Sequence, residues 1–200
     1  LIEPSYRSDL AARIEPWPVE LQEAMTLMVQ AFTRASIERR EAIRGLSRED
    51  LEKLTDALRQ MTVRPDMNDG TFFLTGVDAE WPANLQDIRR IDYERFFSAA
   101  EIMTEAIEMT RTRFQAARQK LPPGIHDELL LEFHSAAGTI CVGGTGINRY
   151  YEDAALLVDL GGNDVYRNNA GGFSNAFDGI SCLIDMDGSD LYETDESGRL

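Results

Sequence analysis

Leu156–Tyr166 reads LLVDLGGNDVY and Cys182–Tyr192 reads CLIDMDGSDLY; the two align without a gap at a spacing of 26. Asp159 matches Asp185, Gly162 matches Gly188, Asp164 matches Asp190 and Tyr166 matches Tyr192. Self-similarity at a fixed spacing marks a repeat architecture, in which each unit buries its apolar face against the next. Each copy opens on an apolar, β-prone run and breaks at Gly-Gly or Asp-Gly, where a chain turns with φ > 0. One short strand and one sharp turn per unit, stacked in register, predict a β-solenoid. A looser copy, Ile140–Tyr150 (ICVGGTGINRY), comes first and places Gly143 eighteen residues before Gly161. The Asn- and Gly-rich stretch 168–175 reads as a loop inserted into one coil.

Upstream the physics changes. Residues 1–135 hold four glycines and residues 136–200 hold eleven; the first segment carries 17 basic and 24 acidic residues, the second three and eleven. Two domains follow from that shift, 1–135 and 136–200. The first is helical by periodicity. Leu21, Met25, Met28 and Phe32 recur on one helix face, with Pro18 at the first turn and Gly45 near the end. Ser47 and Asp50 form a capping box for a second helix, whose stripe is Leu51, Leu54, Leu58 and Met61. An irregular stretch, 62–87, leads to a third helix with Phe96, Ala100, Met103, Ile107 and Phe114 on one face, stopped by Pro122-Pro123-Gly124. The fold class expected is α+β, an N-terminal helical bundle followed by the first rungs of a right-handed parallel β-solenoid. Leu129, Leu130, Leu131 and Phe133 supply the junction, with the helices covering the solenoid's exposed first edge.

Charge narrows the partners. A net charge of −15 over 200 residues argues against nucleic acid, which needs clustered Lys and Arg, and against an anionic membrane surface. No apolar run is long enough for a membrane span, so no membrane insertion is expected. Leu1 in place of a starting Met fits a processed chain, and an extracellular or cell-envelope location is favoured. Cys141 and Cys182 fall at repeat positions of opposite parity, which points them to opposite strand faces and argues against a bridge. Two buried thiols are expected.

Gly143-Gly144-Thr145-Gly146-Ile147-Asn148-Arg149-Tyr150 resembles the glycine-rich nonapeptide of the repeats-in-toxin calcium solenoids. Gly143, Gly144, Gly146 and Tyr150 fit that pattern, and Asn148 stands where the family has Asp. The repeats are also similar to those of large bacterial repeat proteins. The resemblance covers about residues 138–193 and implies a Gly/Asp-turn solenoid with calcium as its cofactor. A separate physical argument points the same way. Stacked rungs would set Asp159 over Asp185 and Asp164 over Asp190 at roughly 4.8 Å. Like charges at that distance repel by roughly 1 kcal/mol in water and by about 3.5 kcal/mol at an effective dielectric near 20. A hard cation would turn that repulsion into ligation, with Asp159, Asp164, Asp185, Asp187 and Asp190 as its oxygen donors. The competing reading is that these aspartates cap turn N–H groups as Asx-turns and bind nothing.

Other chemistry is thinly represented. The EF-hand pattern around DMDGSD fails, because Leu183 and Thr194 occupy its first and last ligand positions. His126 and His134 lie too far round a helix to share a metal, and no HExxH, CxxC or GxSxG occurs. Tyr150, Tyr166 and Tyr192 form a ladder that either packs in the core or stacks on sugars. Two functional classes remain. One is a structural or surface interaction module with a protein or polysaccharide partner on the solenoid. The other is a polysaccharide lyase or hydrolase, which needs basic groups beside acids, and the repeats offer only Arg149 and Arg167. Two and a fraction repeats are fewer than the roughly three such stacks need, so a longer protein is expected. The alignment itself makes a testable claim, that Val158 stacks on Ile184 in the interior. Val158→Asp is expected to bury an unpaired charge and collapse the thermal transition, while a substitution at Asn169 leaves it nearly unmoved. Equal shifts in the two melts would refute the alignment.

Overall fold

The computed structural model describes residues 10–54, 89–121, 129–135, 138–167, 171 and 180–193. The architecture is α+β: helices followed by two small sheets. Helix α1 spans Val19–Ala42 and buries Leu21, Met25, Met28 and Phe32, the face that the periodicity predicts. Pro18 stands at its N-cap and Ile43 at its C-cap. Residues 48–54 begin another helix, opened by the expected reciprocal cap: Ser47 N–H donates to Asp50 Oδ2 at 2.8 Å, and Asp50 N–H to Ser47 Oγ at 3.1 Å. Leu58, Met61, the stretch 62–87, Pro122-Pro123-Gly124, Asn169 and His126 lie outside the described residues.

Helix α2 spans Tyr93–Arg118, capped by the Asp92 side chain on Arg95 N–H at 3.2 Å. Its buried face is Ala99, Met103, Ala106, Thr110, Phe114 and Ala117. Met103 and Phe114 were expected there, but Phe96 and Ala100 are exposed. The true stripe is built on alanine, which a reading of large apolar residues passes over. Those alanines lie in one buried cluster with Ala24 and Ala35 of α1. Glu38 meets Arg95 at 2.8 Å, Glu23 meets Arg113 at 3.4 Å, and Glu20 meets Lys120. Those pairs join the end of one helix to the start of the other, so the hairpin is antiparallel. Among the described residues no helix is long and apolar enough to cross a membrane.

The first sheet has the order β1-β2-β4-β6, from Leu131–Ser135, Gly138–Val142, Leu156–Asp159 and Cys182–Asp185. The second is β3-β5-β7, from Arg149–Tyr150, Val165–Tyr166 and Leu191–Tyr192. β1 and β2 are antiparallel and every other pairing is parallel. Leu156 lies beside Cys182, Val158 beside Ile184 and Asp159 beside Asp185, the register of the 26-residue alignment. The first copy differs from expectation. Ile140 pairs with Leu156 and Tyr150 with Tyr166, a spacing of 16 in place of the eighteen that aligned glycines suggest. Gly143 therefore stands beside Asp159, not Gly161, and Gly146 beside Gly162. Strand pairing follows the apolar runs and the tyrosines; the glycines only turn the chain.

Both faces of the first sheet are covered. Ile140, Val142, Leu156, Val158 and Cys182 pack with α1 and α2, while Cys141, Leu157 and Leu183 pack with Tyr150 and Tyr166 of the second sheet. That is why β4 reads Leu-Leu-Val without alternation. Val158 and Ile184 are stacked as expected, on the helix side of the sheet. The helices thus lie on the face of the sheet, not over its first edge; the place beside β2 is taken by β1. Strand β1, which ends at Ser135, pairs with β2 across the 135/136 boundary read from composition. The thiols Cys141 and Cys182 are free, buried and on opposite faces.

Gly146, Gly162 and Gly188 form a column at the turns. Gly162 has φ +148°, and a Cβ there would lie 1.9 Å from Gly146 O; Gly188 has φ +152° and would meet Gly162 O at 2.0 Å. Gly162→Ala is expected to destabilise the chain by about 3 kcal/mol or more, from overpacking added to left-handed strain. Gly45→Ala, whose Cβ would have 3.7 Å to its nearest neighbour, is the control and is expected to be near neutral. Equal denaturation midpoints for the two variants would contradict the stacked turns.

Candidate functional site: the aspartate and tyrosine columns

The second and third rungs each turn on an aspartate at the end of the strand. Asp159 Oδ1 accepts from Gly161 N–H at 2.6 Å, and Asp185 Oδ1 accepts from Asp187 N–H at 3.3 Å. Both are Asx-type bonds two residues on, made where the strand has run out of backbone partners. The second oxygen of each carboxylate takes a tyrosine: Tyr150 O–H donates to Asp159 Oδ2, and Tyr192 O–H to Asp185 Oδ2 at 3.3 Å. The tyrosine rings form their own column. Tyr150 and Tyr166 stack with centroids 5.0 Å apart and Tyr166 and Tyr192 at 4.7 Å. The first two are buried and Tyr192, at the last rung, is exposed. The ladder is thus core packing for two of its three members.

A second acidic column ties rung to rung through the backbone. Asn148 N–H donates to Asp164 Oδ1 at 2.6 Å, and Asp164 N–H donates to Asp190 Oδ1 at 2.8 Å. Asn148 is the first member of that column, and its own Oδ1 accepts from Gly144 N–H at 3.1 Å. Asn163 reaches the same way, accepting from Ser189 N–H at 3.0 Å. The structure therefore brings Asp159, Asp164, Asp185 and Asp190 into one neighbourhood. Asp187 is apart from them: its carboxylate faces out to Arg118 at 2.8 Å, and that guanidinium holds it below the usual carboxylate range.

Electrostatics in this neighbourhood are those of burial. Asp159 is fully buried and Asp164 is 1% exposed. Burial pushes the Asp159 carboxyl up to about 7, against the Tyr150 and Gly161 hydrogen bonds that favour its charge. Burial likewise raises Asp164 and Asp185. The phenols of Tyr150 and Tyr166 are raised, chiefly by burial and then by the Asp159 charge, so both stay protonated, Tyr150 as the donor to Asp159. Cys141 is pushed up to about 12 and Cys182 to about 11 by burial, which leaves neither thiol nucleophilic near neutral pH. Among the described residues no three His, Cys, Asp or Glu side chains converge closely enough to hold a metal. Two polar atoms of the columns, Asp164 Oδ2 and Tyr166 Oη, are buried without a protein hydrogen-bond donor or acceptor.

Three participants escape a reading of the repeats alone. Gly143 is the first-rung counterpart of Asp159, and a Cβ on it would lie 1.9 Å from Tyr150 Oη and 2.5 Å from Asp159 Oδ2. Tyr150 bonds the aspartate of the next rung, where Tyr192 bonds that of its own. Arg118 comes from α2. The first two were signalled by the 16-residue spacing of the tyrosines; the third carries no signal in the sequence.

No protein-family model, curated protein or solved structure matches this chain. Function is therefore argued from the site itself. Tyr150→Phe removes the donor from a buried carboxyl and is expected to cost roughly 1–3 kcal/mol in a denaturant titration. Tyr192→Phe, at the exposed end of the column, is expected to cost much less. The reverse order would show that the Asp159–Tyr150 bond does not support the fold.

Proposed function

We propose that the chain is a structural interaction module, in which a helical hairpin backs the first coils of a β-solenoid. The observation that carries this reading is the parallel, matched pairing of three successive rungs in two separate sheets. The polar groups of the turns support it, because they are spent on one another. Asp159, Asp164, Asp185 and Asp190 accept backbone or tyrosine donors, and Asp187 neutralises Arg118. A polysaccharide-cleaving site needs a cation free to meet developing negative charge. Arg118 and Arg167 are each held by a carboxylate, Asp187 and Glu193, which leaves exposed Arg149 on β3 as the basic group of the repeats that such a site could draw on. What the repeats offer a partner is an outer turn face: a shallow groove of about 380 Å³ bordered by Arg118, Thr145, Ile147 and Asn163 above the glycine column.

The coil reading is tested by oxidative cross-linking. Val165 and Leu191 are register partners on neighbouring rungs. In the double variant Val165→Cys, Leu191→Cys, a mild oxidant is expected to close an intramolecular disulfide quickly, seen as a mass change and a mobility shift. Failure of that pair to cross-link would refute the stacked coils. Turnover of acidic or neutral polysaccharides by the same protein would refute the module reading and restore a lyase or hydrolase.

A further inference from the structure

The third rung repeats the contacts of the second on one side only. Asn148 N–H donates to Asp164 Oδ1 and Asp164 N–H to Asp190 Oδ1, and among the described residues Asp190 N–H meets no acceptor. The tyrosine column behaves alike. Tyr166 is stacked on both faces, at 5.0 and 4.7 Å, while Tyr192 is stacked on one and is 45% exposed. Leu157, Val158 and Leu160 are buried, but their counterparts Leu183, Ile184 and Met186 are only half-buried.

The backbone of the rung is open in the same direction. Cys182 and Met186 donate their N–H to Ala155 and Asp159 of the rung before, and Leu191 and Glu193 donate theirs to Asp164 and Tyr166. Alternation along a strand therefore turns the N–H of Leu183, Asp185 and Tyr192 away, toward the place of a fourth rung. The glycine column sets a further condition. A Cβ on Gly162 would lie 1.9 Å from Gly146 O, and one on Gly188 2.0 Å from Gly162 O. A turn that approaches Gly188 O in the same way must itself be made of glycine.

We propose that this edge receives a strand of a partner polypeptide built as a fourth rung. The partner segment follows an apolar run with Gly at the turn, Asp two residues on to accept Asp190 N–H, and an aromatic two further to stack on Tyr192. Continuity identifies this occupant, because each feature repeats an interface already made between the earlier rungs. A second copy of this chain fits poorly. The far end of the stack is closed by antiparallel β1, which exposes Glu132 and His134 and lies outside the sheet of the tyrosines. Two third rungs set edge to edge would oppose Asp185, Asp190 and Glu193 to their own copies, like charges across a strand pair. Residues 193–200, ETDESGRL, hold neither an apolar run nor an aromatic. The inference rests on the stacked-coil reading and adds to it a surface and the chemistry of its partner.

The probe is a synthetic peptide with the sequence of the second rung, residues 156–167 (LLVDLGGNDVYR), added to the unaltered chain. Amide exchange read by NMR is expected to slow at Leu183, Asp185, Asp190 and Tyr192, and to stay as it was at the inward-facing Cys182 and Leu191. The Tyr192 ring protons are expected to shift as a second ring stacks on them. A peptide with alanine at the positions matching Asp164 and Tyr166 is expected to bind about tenfold more weakly or worse. Absence of binding, equal binding of the two peptides, or binding that leaves the outward amides exchanging as before would overturn the proposal. So would a concentration-dependent dimer that protects those same amides, since the occupant would then be a second copy. The Val165→Cys, Leu191→Cys cross-link keeps the two readings apart. Its success without peptide binding refutes the edge alone, and its failure refutes the coils beneath it.

Discussion

The constraint on which the rest of the structure depends is the backbone bond from one rung to the side chain of the next. The strands of the second sheet are two residues long, too short to be held by a ladder of their own. What fixes them is the carboxylate at the turn, which takes the N–H of its counterpart one rung before, Asn148 on Asp164 and Asp164 on Asp190. A side chain that bonds the backbone across rungs specifies register directly, because a slip by one residue would turn the carboxylate to the opposite face. The glycine column imposes the same register sterically, since only Gly lets one turn approach the carbonyl of the last. Polar and steric devices therefore demand one alignment, and the apolar strands fall into it.

From that register the layering follows. A parallel sheet needs cover on both faces, and the chain provides it from two different sources. The α1–α2 hairpin covers one face with Met, Leu and Phe over Ile140, Val142, Leu156 and Val158. The stacked tyrosines cover the other over Cys141 and Leu157. Tyrosine suits the second position because its ring fills the space between sheets, and in Tyr150 and Tyr192 the hydroxyl also reaches an aspartate at a strand end. Rung identity and core packing are thus set by one residue type. β1, antiparallel to β2, ends the stack on one side and blunts an edge that would otherwise offer unpaired backbone groups.

Much of this was legible in the sequence, and the misses share a cause. The 26-residue alignment gave the β4–β6 and β5–β7 registers because both copies carry the same turn and the same tyrosine. The face of α1 and the Ser47–Asp50 box were legible because large apolar residues and caps have strong local signatures. The spacing of the first copy was misread because glycines were aligned with glycines. Gly143 is there for want of space beside Asp159 and Tyr150, and that reason exists only in three dimensions. The α2 face was misread in part for a related cause: alanine carries little pattern, yet Ala99, Ala106 and Ala117 are buried in the core beside Met103 and Phe114. Arg118 was invisible, since nothing in its own surroundings in the chain tells that Asp187 will face it.

Register fixed at the turns also explains why successive units differ so much in length. The first spacing is 16 and the second 26, yet both sheets pair without interruption. The additional residues fall between β5 and β6, outside the segments that run from Asp159 to Asp164 and from Asp185 to Asp190. Lengthening a loop costs only logarithmically in closure entropy, so ten more residues weigh little against a turn whose bonds are intact. The converse holds within the turn. Asp159 to Asp164 and Asp185 to Asp190 keep the same separation, because a single residue added there would move the second acid off the N–H it must accept. The constant quantity along this chain is the five-residue separation of the two acids of a turn, and the variable one is the length of chain between one turn and the next strand.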